Sequence, residues 1–374
     1  MNTRKMLVSL TATATLMSVA ACAAPEQEND TTTESGVDAA AATSAEDFGG
    51  MDELVQAAQD EGELNVIALP PDWANYGEVI STFEEKYDIE VNSAQPDAAS
   101  QDEINAANEL AGTDRAPDVF DLGQSVALAN TDMFAPYQVA TWDDIPEEFK
   151  DPDGAWVNDY GGYMSIGYDS AVVPEVTSLA DLLGPEFKGK VALNGDPTQA
   201  GAAFSGVMMA AIANGGSADD IAPGVDFFTD LKEAGNFLTV DPDSTTIEQG
   251  TTPVVIDWDY LGAAAAANVD TWRTVVPEEA VVAGYYFQAI NADAPNPAAA
   301  RLWQEFLYSD EGQNLWLEGG ARPVRGDAMA EAGTIDAELW GALPEVSGDP
   351  VVPTDDQTVT AGEYLAANWS KAIR

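Results

Sequence analysis

The sequence Asp257-Trp258-Asp259-Tyr260 directly follows the apolar run of residues 254–256 and combines two carboxylates with two aromatic rings. If the run is a strand that continues to its end, the two aspartates lie on one face and the two rings on the other. Two carboxylates on one face repel each other unless a cation or hydrogen-bond donors lie between them. Aromatic faces add cation–π attraction for an ammonium group. These residues therefore predict a site for a cationic amine, and the alternative is a solvated strand end with Trp258 packed inward.

Polar and aromatic side chains also follow the other predicted strands. In open α/β sheets, ligands lie beyond the carboxyl ends of the strands, so the residues just after each strand are candidates for the same site. The turn at residues 194–201 also offers free backbone N–H groups to an anionic or polar group. Helix capping and core packing are the alternative roles of these side chains. The candidates are Trp73 and Asn75 after the first strand, Asp121 and Gln124 after the third, and Asp196 and Thr198 after the fourth.

Strands and helices alternate along the chain, which indicates an α/β fold with right-handed crossovers and a mainly parallel sheet. One helix carries an apolar stripe at positions i, i+3, i+4, i+7 and i+11 and therefore faces a core. Its stripe residues are Tyr76, Val79, Ile80, Phe83 and Tyr87. A folded body of about 320 residues exceeds what one compact core holds, so we expect two lobes. The predicted strands are residues 63–69, 89–92, 118–122, 190–193 and 254–256, and further helices include residues 52–61, 102–112, 223–234 and 296–319.

The composition is strongly acidic but contains enough apolar residues for a folded core. The 374 residues include 65 acidic and 14 basic side chains and no histidine, which gives a formal net charge of −51, yet 45% are hydrophobic. This charge excludes nucleic acid as a partner, because phosphate backbones require clustered Lys and Arg. It attracts cations. Adaptation of the surface to a saline habitat is the alternative explanation, so the charge alone does not identify a ligand.

An exported hydrolase is a competing class of function. Without histidine there is no Ser-His-Asp triad, and Cys22 is the single cysteine. Asp257 and Asp259 would rise from one strand, whereas the two carboxylates of a glycosidase flank the scissile bond from opposite sides. We therefore expect no enzymatic activity, no cofactor and no resident metal. A structural surface protein is also disfavoured, because the chain has no repeats and no adhesive low-complexity tract.

The N-terminus indicates export. Arg4 and Lys5 precede a mostly small or apolar run over residues 6–17, and small residues lead up to Cys22. This pattern resembles the signal peptide (residues 1–21) and lipobox of bacterial lipoproteins, in which the cysteine is acylated. Residues 22–50 are rich in Thr, Ala, Ser, Glu and Asp and predict an acidic, flexible tether. We therefore expect a lipid-anchored protein at the outer face of the cell membrane or in the periplasm, with no intrachain disulfide.

Several stretches together resemble the extracellular solute-binding proteins of bacterial ABC importers. The last two stretches, residues 291–300 and 307–313, match the approach to the C-terminal helices of these proteins and carry the most specific resemblance. Within that family the chain is most similar to the branch that includes polyamine, ferric-iron, thiamine and phosphonate binders. The stretches are residues 64–73, 188–193, 194–198, 255–260, 291–300 and 307–313.

The resemblance implies a type II periplasmic-binding-protein fold, in which a ligand cleft separates two α/β lobes. Lobe 1 would comprise residues 51–162 plus 286–374, and lobe 2 residues 163–285. The chain would cross between them near residues 160–163 and 284–286, where glycines suit a hinge. The protein would act as a monomer that captures a small solute and delivers it to permease subunits.

The ligand stays open at this point. The acidic and aromatic candidates favour a cationic amine, either polyamine-like or thiamine-like. Tyr285 and Tyr286 resemble the phenolate ligands of ferric-binding relatives, but such sites usually enlist further ligands. Adjacent side chains on a strand also point to opposite faces, so we expect only one of the two tyrosines to line the cleft. An aminophosphonate remains an alternative through the turn that contains Asp196 and Thr198.

Overall fold

A computed structural model describes residues 31–33, 36–343 and 350–373. The predicted signal peptide, residues 1–21, and the predicted lipidation site, Cys22, lie outside the described residues. The helices are α1 (Ala45–Phe48), α2 (Met51–Glu61), α3 (Tyr76–Tyr87), α4 (Ser100–Glu109), α5 (Gln124–Ala129), α6 (Gly201–Ala213), α7 (Ala222–Glu233), α8 (Ser244–Glu248), α9 (Asp259–Asn268), α10 (Pro297–Leu307), α11 (Asp310–Glu318), α12 (Gly326–Ala332), α13 (Ala337–Ala342) and α14 (Asp355–Ala372). The strands are β1 (Glu63–Ile67), β2 (Glu90–Ala94), β3 (Val119–Leu122), β4 (Phe134–Ala135), β5 (Val157–Asp169), β6 (Val191–Leu193), β7 (Val254–Trp258), β8 (Trp272–Val275), β9 (Ala283–Asn291) and β10 (Arg322–Pro323).

The strands form a two-stranded sheet, β1-β2, and a larger sheet of order β3-β9-β5-β7-β6. In the larger sheet β4 also pairs with β9, and β8 and β10 pair with β5. The prediction of a mainly parallel sheet is wrong: among the described strands only β1-β2 and β6-β7 pair in parallel. The long strands β5 and β9 run antiparallel to their neighbours and hold the larger sheet together. In the part of the chain that the structure describes, no helix is long and apolar enough to cross a membrane.

The two segments predicted as crossings lie side by side on β5 and β9. Gly161 pairs with Tyr285, and Gly162 pairs with Gly284. A β-carbon on Gly161 would lie 2.2 Å from the carbonyl oxygen of Gly284, so only glycine permits this approach of the strands. The same glycines interrupt the apolar alternation of both strands, which explains why the sequence did not predict them as strands.

The predicted stripe of α3 is confirmed. Tyr76, Val79 and Phe83 are buried, while Ile80 and Tyr87 are partly buried against the same core. The ring of Tyr76 lies 4.9 Å from that of Trp316, and the ring of Phe83 lies 5.0 Å from that of Trp303. The helices predicted over residues 296–319 are observed as α10 and α11, and they cover the stripe.

The predicted tether ends earlier than the composition suggested. Ala39, Ala42 and Phe48 are buried in the core. The buried guanidinium of Arg301 donates to the carbonyl oxygens of Ala40 and Ala42, each at 2.7 Å. These hydrogen bonds and apolar contacts fix the segment against α10, so the packed body begins near residue 38 rather than at Met51.

The C-terminal helix α14 contacts elements from both predicted lobes. Trp369 packs on Phe228 of α7, with ring centroids 5.3 Å apart. On the other side, Gln124 at the start of α5 donates to the carbonyl oxygen of Pro353 at 3.2 Å, just before α14. Residues 350–373 therefore also pack on the range predicted as lobe 2, although the sequence placed them in lobe 1 alone.

Candidate functional site

A cavity of about 520 Å³ lies beyond the carboxyl ends of β3, β6 and β7. Its lining comes from residues 68–121 and Tyr286 on one side, and from residues 194–268 on the other, which the sequence assigned to different lobes. The lining residues that the structure describes include ten acidic side chains and neither lysine nor arginine. The acidic residues are Asp72, Asp97, Asp102, Glu103, Asp121, Asp196, Asp241, Asp243, Glu248 and Asp257.

Asp257 lines the cavity from β7. Its carboxylate accepts hydrogen bonds from Asn194 Nδ2 at 2.7 Å and from the Trp258 N–H at 2.8 Å. Burial raises the pKa of Asp257 to about 7, and these two hydrogen bonds oppose the rise. A positive charge in the cavity would therefore stabilise the ionised form of Asp257.

Asp259 lies away from the cavity, so the prediction of two carboxylates on one face is wrong. The strand ends at Trp258 and α9 begins at Asp259, which breaks the alternation of side chains. Asp259 instead forms an ion pair with Arg322 at 2.9 Å and accepts a hydrogen bond from the Tyr163 N–H at 2.9 Å. Its side chain is 4% exposed, which makes it a link between α9, β10 and β5 rather than a ligand contact.

Two aromatic rings line the cavity and three more support them. Trp73 and Tyr286 belong to the lining, with centroids 5.6 Å apart in an edge-on arrangement. Tyr160 stacks on Tyr286 at 5.4 Å, and its hydroxyl accepts a hydrogen bond from Trp73 Nε1 at 2.8 Å. Trp258 and Tyr260 were both predicted to contact the ligand, but they lie outside the lining. Trp258 Nε1 donates to the Tyr286 hydroxyl at 3.4 Å, and the ring centroids of Tyr260 and Trp73 are 6.1 Å apart. They fix the orientation of the rings that face the cavity.

Glu103 and Asp121 form an acidic pair at the β3 side of the cavity. Asp121 Oδ2 accepts a hydrogen bond from the Tyr160 hydroxyl at 2.8 Å, and Glu103 Oε2 accepts one from the Asp121 N–H at 3.0 Å. Glu103 was missed by the sequence reasoning, because a glutamate inside a polar helix gives no signal that it is buried. Its burial depends on the contact with β3, which only the fold reveals.

The remaining candidates do not line the cavity. Asn75 donates to the carbonyl oxygen of Leu315 at 3.0 Å, and Gln124 contacts the segment before α14. Thr198 donates to Asp196 at 2.6 Å in a turn whose aspartate does line the cavity. Tyr285 packs on Phe149, with centroids 4.6 Å apart, while Tyr286 faces the cavity. Thus Trp73, Asp121, Asp196, Asp257 and Tyr286 come together, and their role in ligand binding stays a prediction.

The sequence profile described as bacterial extracellular solute-binding protein matches residues 117–346, more than half of the chain. The chain belongs to this family. The resemblance drawn from the sequence stretches is thereby confirmed at the level of the family. No curated protein sequence matches the chain.

Solved structures show the same fold. A periplasmic binding protein called P5PA has 20% sequence identity and a TM-score of 0.67, with 84% of this chain and 100% of that chain covered. A putative spermidine/putrescine ABC transporter from Listeria monocytogenes has 14% identity and a TM-score of 0.62, with 83% and 99% covered. The ferric binding protein from Campylobacter jejuni has 18% identity and a TM-score of 0.61, with 83% and 99% covered. The predicted two-lobed α/β fold is therefore confirmed.

Proposed function

We propose that this solute-binding protein captures a small cationic amine outside the cytoplasmic membrane and delivers it to the permease subunits of an ABC importer. The observation that carries the proposal is the cavity lining, which has ten acidic side chains and no basic one among the residues described. Among the charged side chains of this lining, an anionic ligand would meet only carboxylates. A cation removes the repulsion between the carboxylates and gains charge-assisted hydrogen bonds.

Asp257 is the principal carboxylate for the amine. Asn194 and the Trp258 N–H hold its side chain in place, so little side-chain freedom is lost when an ammonium group binds. Trp73 and Tyr286 present aromatic surface nearby and add cation–π attraction. One carboxylate and two aromatic rings suit a polyamine-like or thiamine-like ligand. The putative spermidine/putrescine ABC transporter from Listeria monocytogenes has the same fold.

Ferric iron is disfavoured by the placement of the tyrosines. Tyr285 packs on Phe149 and only Tyr286 reaches the cavity, so two adjacent phenolates do not converge on one point. In addition, the described residues contain no group of three or more His, Cys, Asp or Glu side chains arranged to hold a metal ion. We retain Fe(III) as a comparison ligand in the binding experiment.

The anchoring part of the proposal concerns the N-terminus. Acylated Cys22 would hold the protein at the membrane, and the residues up to about 38 would give the body reach toward the permease. The protein would act as a monomer, with its two sides closing on the solute and opening for release.

Isothermal titration calorimetry with spermidine, thiamine, Fe(III) and the anion glutamate tests the proposal. We expect binding by an amine and none by glutamate. Asp257→Asn should weaken amine binding by more than about tenfold, the scale of one lost charge-assisted hydrogen bond. Glu109→Gln is the charge-matched control, because Glu109 is exposed and does not line the cavity. Binding of glutamate, or of Fe(III) but no amine, would refute the proposed ligand class.

A further inference from the structure

The Glu103–Asp121 pair has two buried oxygens that the described part of the chain leaves without a hydrogen-bond partner. Glu103 is 1% exposed and Asp121 is 7% exposed, and both line the cavity. Each uses one carboxyl oxygen within the protein, as described above. The other two, Glu103 Oε1 and Asp121 Oδ1, have no hydrogen-bond partner among the described residues. A buried acceptor without a donor is destabilising, so these two oxygens require an occupant of the cavity or a proton.

Among the residues that the structure describes, no positive charge lies against this pair. The titratable groups that face it from the surrounding described elements are all acids or phenols: Asp102, Asp159, Tyr76, Tyr160, Tyr260, Tyr286 and Tyr308. Burial, and then the charge of Asp121, raise the pKa of Glu103 well above its usual range. Burial likewise raises the pKa of Asp121, and the polar side chains of Tyr160, Tyr76 and Gln288 oppose the rise. Two such carboxyls share protons at neutral pH rather than both ionising.

Asp159 lies behind the pair and adds to the negative surroundings. It accepts a hydrogen bond from the Tyr160 N–H at 2.7 Å and does not line the cavity. Burial and the charge of Asp121 raise the pKa of Asp159 well above its usual range. Asp159 does not line the cavity, so the members of this cluster that border the cavity are Glu103 and Asp121.

We propose that Glu103 and Asp121 form a second subsite, which holds a proton when the cavity is empty and exchanges it for an ammonium or iminium nitrogen of the ligand. In the exchange a carboxyl O–H bond breaks and the proton leaves to solvent. The N–H groups of the incoming cation then donate to Oε1 and Oδ1. This inference rests on the proposed capture of a cationic amine, and it adds that capture is coupled to proton release at a site separate from Asp257.

The subsite has a consequence for selectivity. A neutral or anionic molecule cannot compensate two ionised carboxyls, so the pair keeps its proton and offers that molecule only a weak, neutral donor. A protonated amine supplies both the positive charge and the N–H donors. Glu103 therefore acts as a specificity-determining residue on the side of the cavity opposite Asp257.

Calorimetry of spermidine binding at pH 7, in phosphate and in Tris, measures the proton release because the two buffers differ in ionisation enthalpy. We expect the wild-type protein to release protons and Glu103→Gln to release roughly one proton fewer, with about tenfold weaker binding. Glutamine keeps an oxygen for the Asp121 N–H, so the fold is retained. Glu109→Gln, on the same helix and exposed, should match the wild type.

A second measurement needs no ligand. The infrared spectrum of the empty wild-type protein at pH 7 should contain the C=O band of a protonated carboxylic acid. This band should disappear in Glu103→Gln and remain in Glu109→Gln, as the wild-type-minus-variant difference spectra would show. Equal proton release by Glu103→Gln and the wild type would overturn the subsite while leaving amine capture intact. Absence of the infrared band would overturn the stored proton. If the band is present but no amine binds, the proposed function is overturned, and the proton exchange is overturned with it.

Discussion

Gly123 and Gly201 touch across the cavity: a β-carbon added to Gly123 would lie 2.6 Å from the Cα of Gly201, and one added to Gly201 would lie 2.7 Å from the Cα of Gly123. Gly123 precedes α5 on the β3 side, and Gly201 begins α6 on the β6 side. Close by, the Gln101 N–H donates to the carbonyl oxygen of Gln199 at 3.3 Å. These contacts join the two sides of the cavity, and they allow no side chain at either glycine.

Gly123→Ala should hold the two sides apart. The extra methyl group meets backbone, which cannot move aside as a flexible side chain does, while φ −65° at this position suits alanine. We expect about tenfold weaker spermidine binding and a larger radius of gyration in the presence of ligand, measured by calorimetry and small-angle X-ray scattering. Gly362→Ala is the control, because a β-carbon there meets nothing within 4 Å. A variant that closes and binds like the wild type would show that this contact does not limit closure.

Asp257 and Asp259 should respond in opposite ways to the same substitution. Asp259→Asn removes the charge that Arg322 faces at 2.9 Å in a buried pair, so the free energy of unfolding should fall by about 3 kcal/mol. Asp257→Asn should not lower the free energy of unfolding, because it removes a carboxylate whose ionisation burial disfavours, and it should weaken amine binding. Urea unfolding and calorimetry on the two variants separate these effects. A stable Asp259→Asn with lost binding would mean that Asp259, too, contacts the ligand.

The contrast between these two aspartates shows what the sequence can and cannot predict. Asp257 was found because it directly follows the apolar residues 254–256, a local pattern. Asp259 was misplaced because the start of α9 and the contact with Arg322 depend on residues far along the chain. Glu103 was missed for the same reason, since its burial comes from its contact with β3. The stripe of α3 and strands such as β1 were predicted well because their periodicity is uninterrupted, whereas the glycines of β5 and β9 concealed theirs.

The empty protein should lose stability as the pH rises toward 8. The pKa of Asp257 is raised to about 7, above its ordinary value near 4 in an unfolded chain. Between these values the folded state binds more protons than the unfolded state, so the stabilisation is complete below about pH 4 and is lost as the pH rises through about 7. Scanning calorimetry from pH 5 to pH 8 measures the fall in Tm. The fall should be shallower in Asp257→Asn, and a Tm that rises with pH would contradict the raised pKa.

Salt should stabilise the fold and weaken the amine complex at the same time. A net charge of −51 destabilises the compact state through self-repulsion, which counter-ions screen within about 10 Å at 0.1 M salt and about 3 Å at 1 M. We expect Tm to rise between 0.1 and 1 M NaCl in thermal melts, as an acidic surface adapted to a saline habitat requires. Spermidine affinity should fall over the same range, but less for the partly buried Asp257 site than for exposed charges. If Tm is independent of salt, repulsion between the surface charges does not limit stability. The main role of the acidic composition would then be to attract the cationic ligand.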